Sequence, residues 1–208
     1  PNKIDETDEL AMLKRLDGHL TDLNLEFSER VLYRFHTSLK TGFISPLTVL
    51  AGISGTGKSQ LPQRYAEAMG MHFLKVAVQP RWDSPQDLLG FYNYLEQSYK
   101  ATELARALVR MDENFELPHD QLHASDRVLL VLLDEMNLAR VEYYFSEFLS
   151  RLEGRPEAGT KNTDLLMPGQ IEIDIPRRVG NTLSVYPGHN VLFVGTMNED
   201  ESTQALSD

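Results

Sequence analysis

Strands alternating with helices predict an α/β fold for this 208-residue chain, with a parallel sheet flanked by helices. Two observations carry that prediction. The hexamer Val128–Leu133 is aliphatic throughout and lacks the alternation of a half-exposed strand, as expected of a central parallel strand covered on both faces. Further apolar runs at Leu47–Ala51, Phe73–Val78 and Val191–Val194 are separated by stretches that contain helical periodicity.

Residues 1–27 are acidic and polar with scattered Leu10, Leu13, Leu16 and Leu20, a pattern that predicts one or two short helices as a lead-in. Ser28 is placed to cap a helix with the apolar face Val31, Leu32, Phe35 and Leu39, ending near Gly42. Strand Leu47–Ala51 then runs into a Gly-rich turn, followed by a helix over Gln60–Met69 that Gly70 ends. After strand Phe73–Val78, the breakers Pro80, Pro85 and Gly90 predict a loop and a short helix. Residues 101–111 read as a helix with Leu104, Ala107, Leu108 and Met111 on one side, and Val141–Leu152 as the helix after the central strand. Over 154–190, glycines and prolines punctuate two alternating segments, Gln170–Ile175 and Thr182–Tyr186, which predicts a β-hairpin-like insertion.

Composition narrows the function classes. Apolar residues make up 41% and charged residues 25%, the balance of an ordinary globular domain. The longest aliphatic run, Val128–Leu133, is far below the ~20 residues needed to cross a bilayer, and no cationic-then-apolar leader opens the chain, so a cytoplasmic protein without membrane contact is expected. Without cysteine there are no disulfides, thiolate zinc sites or thiol nucleophile. The net charge of −11 argues against a broad non-specific grip on DNA or anionic lipid. The chain begins at Pro1 and ends at Ser207-Asp208, as expected of a piece of a larger protein.

Chemistry concentrates in three places. Gly52-Ile53-Ser54-Gly55-Thr56-Gly57-Lys58-Ser59 fits G-x-x-x-x-G-K-[ST] between a strand and a helix, the context that gives this motif meaning. Its glycines let backbone N–H groups turn toward a β-phosphate at a helix amino end. Lys58 is expected to reach the β- and γ-phosphates, and Ser59 to hold Mg²⁺ through its hydroxyl. The central strand ends in Asp134 and Glu135, a metal-shell acid followed by a candidate base for in-line attack by water. The last strand ends in Gly195-Thr196-Met197-Asn198, where the Asn198 amide is placed to sense a γ-phosphate.

Taken together, GISGTGKS, RWDSPQDLLGFYN (81–93), LLDEMNLARVEYYFSEFLSRLEGR (132–155) and FVGTMNEDEST (193–203) resemble the McrB-type branch of AAA+ proteins, related to the dynein and MoxR ATPases. The resemblance spans about residues 45–206. It implies a P-loop NTPase fold, with 28–208 as the large nucleotide-binding subdomain, ending after the sensor strand without a C-terminal lid. It also implies a hexameric ring of copies of this chain hydrolysing ATP or GTP with Mg²⁺. A nuclease or client-protein partner would join the ring, and DNA would be reached through regions outside the chain. Lys58 and Ser59 would contact phosphate and metal, Asp134 the metal shell, Glu135 the attacking water, and Asn198 the γ-phosphate. Asn137 matches a family Asn that positions the catalytic residues.

The sequence departs from that pattern twice. Leu138 and Ala139 precede Arg140 where the family often has Arg directly after the Asn. Met197-Asn198-Glu199-Asp200-Glu201-Ser202 keeps an acid at 201 without the following Arg. Three readings therefore stand: a DNA restriction or translocation motor, a MoxR-like remodeller of a protein client, and a nucleotide-gated assembly module. Arg140 is expected to be a solvated helix-start residue rather than a trans-acting finger, and Trp82, the single tryptophan, a core residue, with a substrate- or neighbour-facing loop as the alternative. Arg177 and Arg178 place two cations on the insertion, which could line a ring pore or simply face solvent. With no Arg finger or lid before residue 208, the chain alone is expected to bind nucleotide weakly and turn it over slowly.

Overall fold

A computed structural model of the chain describes residues 9–115, 117, 121–156, 167–173 and 183–199. The elements run α1 (Glu9–Asp22), α2 (Glu29–Lys40), β1 (Leu47–Gly52), α3 (Gln60–Met69), β2 (His72–Ala77), α4 (Pro85–Leu89), β3 (Gly90–Asn93) and β4 (Ser98–Ala101). They continue through α5 (Glu103–Met111), β5 (Leu129–Asp134), α6 (Val141–Tyr144), α7 (Ser146–Glu153), β6 (Ile171–Ile173), β7 (Leu183–Val185) and β8 (Val191–Asn198). Four of the strands pair in parallel in the order β1-β8-β5-β2. This is the flanked parallel sheet that the apolar runs predict.

The unbroken aliphatic run of β5 has a direct physical cause. Leu129, Val131 and Leu133 bury into a core with α4, α5 and α7, while Leu130 and Leu132 bury into a second core with α1, α2 and α3. Successive side chains of a strand point to opposite faces, so a strand with helices on both sides needs an apolar residue at every position. Each such leucine contributes ~1.5–3 kcal/mol of burial.

On the second face, α1 inserts Leu13, Leu16 and Leu20 against Leu61, Tyr65 and Ala66 of α3, while Leu10 is exposed. Leu32, Phe35 and Leu39 are the buried stripe of α2. Val31, expected on that stripe, is exposed because it lies about 100° around the helix from Leu32. The carboxylate of Glu9 accepts from Lys40 Nζ at 2.7 Å and lies 2.5 Å from His36 Nε2, whose Nδ1 meets the Tyr65 hydroxyl. These contacts tie α1, α2 and α3 together. Helix α3 has the predicted span, with Pro62 in its first turn, where a missing N–H costs nothing, and Gly70 left-handed (φ 66°) at its end.

The helix expected over Val141–Leu152 is instead two pieces, α6 and α7, broken at Phe145. The Ser146 hydroxyl donates to the Glu142 carbonyl at 2.6 Å, a back-bond that bends helices. The stretch expected to hold only a loop and a short helix also contains an antiparallel hairpin, β3 with β4, pairing Tyr92 with Tyr99. Its turn carries no Asn-Gly or Asp-Gly signal; the Asn93 side chain makes it by accepting from the N–H groups of Leu95 and Glu96. Gly90 is required at its base, because φ is +111° and a Cβ would lie 2.2 Å from the Lys100 carbonyl oxygen.

Within the insertion, β6 and β7 pair antiparallel with Ile171 opposite Val185, both buried in the first core. Arg155 ties the two ends of this region, donating to the carbonyls of Leu152 (3.0 Å), Gly188 (3.1 Å) and Val191 (3.3 Å). Arg177, Arg178 and Glu201 lie outside the described residues. Trp82 packs edge-on to Tyr144 at 5.2 Å, partly buried against the first core. Among the described residues no helix is long and apolar enough to cross a membrane.

Candidate nucleotide site

Register sets the carboxyl edge of the sheet. Gly52 at the end of β1 lies opposite Asn198 of β8, and Asp134 of β5 lies opposite Ala77 of β2. The Gly-rich segment, the acid pair and the amide therefore emerge along one edge, the usual place for ligands on such sheets.

The segment after β1 folds as a tight loop that only glycines accommodate at three points. Gly52, Gly55 and Gly57 have φ of 150°, 81° and 80°, and a Cβ on Gly57 would also lie 2.9 Å from the Phe27 ring. The Thr56 hydroxyl closes the loop by donating to the Ile53 carbonyl at 3.0 Å. Lys58 folds back over it, its ammonium donating to the carbonyls of Gly52 (2.9 Å) and Ile53 (2.5 Å). The N–H groups of Gln60 and Leu61 bond the Gly57 carbonyl, so the first turn of α3 begins directly from the loop. Ser59, the residue before α3, makes no side-chain cap. Its hydroxyl instead donates to Asp134 Oδ1 at 2.5 Å.

Asp134 is buried and fully engaged. Oδ1 accepts from the hydroxyls of Ser59 and Thr196 (2.8 Å), and Oδ2 pairs with Lys75 Nζ at 2.6 Å. Burial alone pushes this carboxyl up; the Lys75 ammonium and the two hydroxyls outweigh it and hold the group below the ordinary aspartate range. Glu135 turns outward in the left-handed region (φ 56°, ψ 49°), a conformation that costs a non-glycine residue ~1–3 kcal/mol and is typical of functional sites. Its N–H donates to Thr196 Oγ1 at 2.9 Å, while its exposed carboxylate accepts from Asn198 Nδ2 at 3.1 Å. Below it Met136 is wholly buried against β8, where a Cβ at position 195 would lie 2.0 Å from its sulfur, so Gly195 is a packing requirement.

Asn137, also buried, clamps the end of β8 from both sides. Its Nδ2 donates to the Asn198 carbonyl at 2.7 Å and its Oδ1 accepts from the Asn198 N–H at 3.2 Å. The fold thus joins Ser59, Asp134, Glu135, Asn137 and Asn198 in one hydrogen-bonded cluster, with Ile53, Ser54 and Lys58 in the loop beside it. Arg140 lies just before α6, exposed and bonded to the Tyr143 hydroxyl at 2.9 Å. Two members, Lys75 and Thr196, were not singled out by the sequence motifs. Thr196 lies inside the Gly195–Asn198 phrase, and Lys75 interrupts an otherwise apolar run, which is its one visible signal.

The residues fit a magnesium–nucleotide pair. Magnesium takes hard oxygen donors, usually one or two carboxylates together with substrate phosphates and water. The Ser59 hydroxyl and Asp134 carboxylate offer such donors at the foot of the glycine loop. Among the described residues no group of three or more His, Asp or Glu side chains forms a separate metal cage.

A glycine loop between a parallel strand and a helix, facing an acid on the same sheet, places the chain among the P-loop α/β nucleotide-binding modules. Residues 48–208 match the AAA domain of the dynein-related subfamily, and the chain belongs to that family. No curated protein matches it. Among solved structures it is similar to a candidate ATPase of Cytophaga hutchinsonii, with 17% identity and a TM-score of 0.46, aligned over 97% of this chain and 49% of that one. The chain spans about half the length of that protein.

Proposed function

We propose that the chain is the nucleotide-hydrolysing module of a ring-forming motor that uses Mg²⁺-bound ATP or GTP. The observation that carries this reading is the hydrogen-bonded convergence of Ser59, Asp134, Glu135 and Asn198 beside the glycine loop. In this reading the loop N–H groups and Lys58 hold the β- and γ-phosphates. Ser59 and Asp134 would hold a magnesium ion there, and such an ion would supply positive charge against the developing charge of the phosphates. Glu135 accepts the proton of the attacking water, and Asn198 keeps its carboxylate oriented through the 3.1 Å contact. Asn137 acts through Asn198 as a positioning residue. Glu135 is exposed, and in this reading a neighbouring copy in a hexameric ring would complete the site.

In the McrB-type form of this reading the ring drives DNA restriction or translocation with a nuclease partner. The β3–β4 hairpin favours a second form, a MoxR-like remodeller of a protein client. Phe91, Tyr94 and Leu95 are exposed on it, Leu95 at 97%, and an apolar tip suits a polypeptide better than a phosphate backbone. Nucleotide turnover by the full-length protein decides between them. Stimulation by duplex DNA supports the restriction form, stimulation by a protein client alone supports the remodelling form, and tight binding with negligible turnover even in an assembled ring rejects the motor in favour of a gated assembly module.

A further inference from the structure

We propose that Lys75 is a stand-in cation for the metal at Asp134 and thereby sets the magnesium requirement for nucleotide binding; this rests on the reading of the site given above. Asp134 is buried, and a buried carboxylate keeps its charge only when a compensating group is at hand. The two donors on Oδ1, Ser59 and Thr196, are neutral hydroxyls. The positive charge comes from Lys75, 2.6 Å from Oδ2.

Placement makes this an exchangeable partner. Lys75 lies on β2, which ends the order β1-β8-β5-β2, and pairs with Leu132, two residues before Asp134. Its side chain is 48% exposed against 12% for that of Asp134, so the ammonium can retreat into water on its four-carbon stem while the carboxylate stays. Ser59, the expected metal donor, is already hydrogen-bonded to the same carboxylate. A divalent ion arriving beside Ser59 therefore shares Asp134 with a second cation, and like charges around one carboxylate oppose each other. Without metal, Lys75 pairs with Asp134 Oδ2 while the Ser59 hydroxyl donates to Oδ1. With metal, Lys75 must give way, and that displacement raises the magnesium concentration at which nucleotide binds.

The test is binding of a fluorescent nucleoside triphosphate to the full chain across a magnesium titration, for wild type, Lys75→Met, Lys75→Gln and Lys75→Arg. Direct Mn²⁺ binding by electron paramagnetic resonance provides a readout free of turnover. The expected result is a half-saturating Mg²⁺ concentration about tenfold lower for the Met and Gln variants, the size of one modest charge interaction, and near wild type for Arg. The Gln variant serves if Met does not fold. An unchanged or higher magnesium requirement in the neutral variants, with nucleotide still bound, overturns the stand-in role alone. Wild-type protein that binds no nucleotide at any magnesium concentration overturns the reading of the site and this inference with it.

Discussion

Replacing Glu135 with Gln is expected to lower nucleotide turnover by ~10²–10⁴-fold, the usual contribution of a positioned base, while leaving nucleotide binding intact. The separation follows from where the side chain sits. Glu135 is exposed and, among the described residues, its carboxylate accepts one hydrogen bond, from Asn198 Nδ2, at an oxygen that glutamine retains. The bond that fixes the local turn, from the Glu135 N–H to Thr196 Oγ1, belongs to the backbone and is untouched. The loop from Gly52 to Ser59 and the Asp134 carboxylate do not change, so the proposed phosphate and metal contacts are expected to remain. Phosphate release and fluorescent-nucleotide binding measured on the same preparation check both halves. Turnover equal to wild type would remove Glu135 as the base.

Lys58→Ala carries the second large effect, a loss of triphosphate affinity of ~10²–10³-fold, as expected when charge-assisted hydrogen bonds to an anion are deleted. The Lys58 ammonium lies on the loop carbonyls of Gly52 and Ile53, inside the curve where phosphate oxygens are expected. Lys58 is half-buried, and the contacts of its ammonium are with those loop carbonyls. Fluorescence anisotropy with a labelled triphosphate measures the loss, and a cooperative melting transition shows that the fold is kept. Affinity within twofold of wild type would argue against phosphate contact by Lys58.

The parts of this molecule that were readable from its sequence are those with local signals. The glycine loop needs positive φ at closely spaced positions and announces itself by Gly55 and Gly57; β5 needs an apolar residue at every position because each face meets a different core. Elements that depend on distant partners were not readable. Lys75 finds Asp134 only through the β2–β5 register, and the clamp between Asn137 and Asn198 joins residues sixty-one positions apart. The β3–β4 hairpin was missed because an Asn93 side chain, in place of a glycine turn, shapes its loop. The break at Phe145 depends on a serine hydroxyl choosing a backbone carbonyl, which periodicity does not register. In α1 the spacing of Leu13, Leu16 and Leu20 predicts a helix, but only the packing against α3 shows that all of them are buried.

In the proposed function, Gly52–Ser59 and Asp134 form a receptor for the phosphates of a magnesium-bound nucleotide. Calorimetric titration of the chain with a nucleoside triphosphate and with the matching unphosphorylated nucleoside, each with and without Mg²⁺, tests it most directly. The prediction is magnesium-strengthened binding of the triphosphate and an affinity for the nucleoside at least about a hundredfold lower, equivalent to about 2.8 kcal/mol carried by phosphate contacts. Equal affinity for nucleoside and triphosphate, or triphosphate binding indifferent to magnesium, would contradict it.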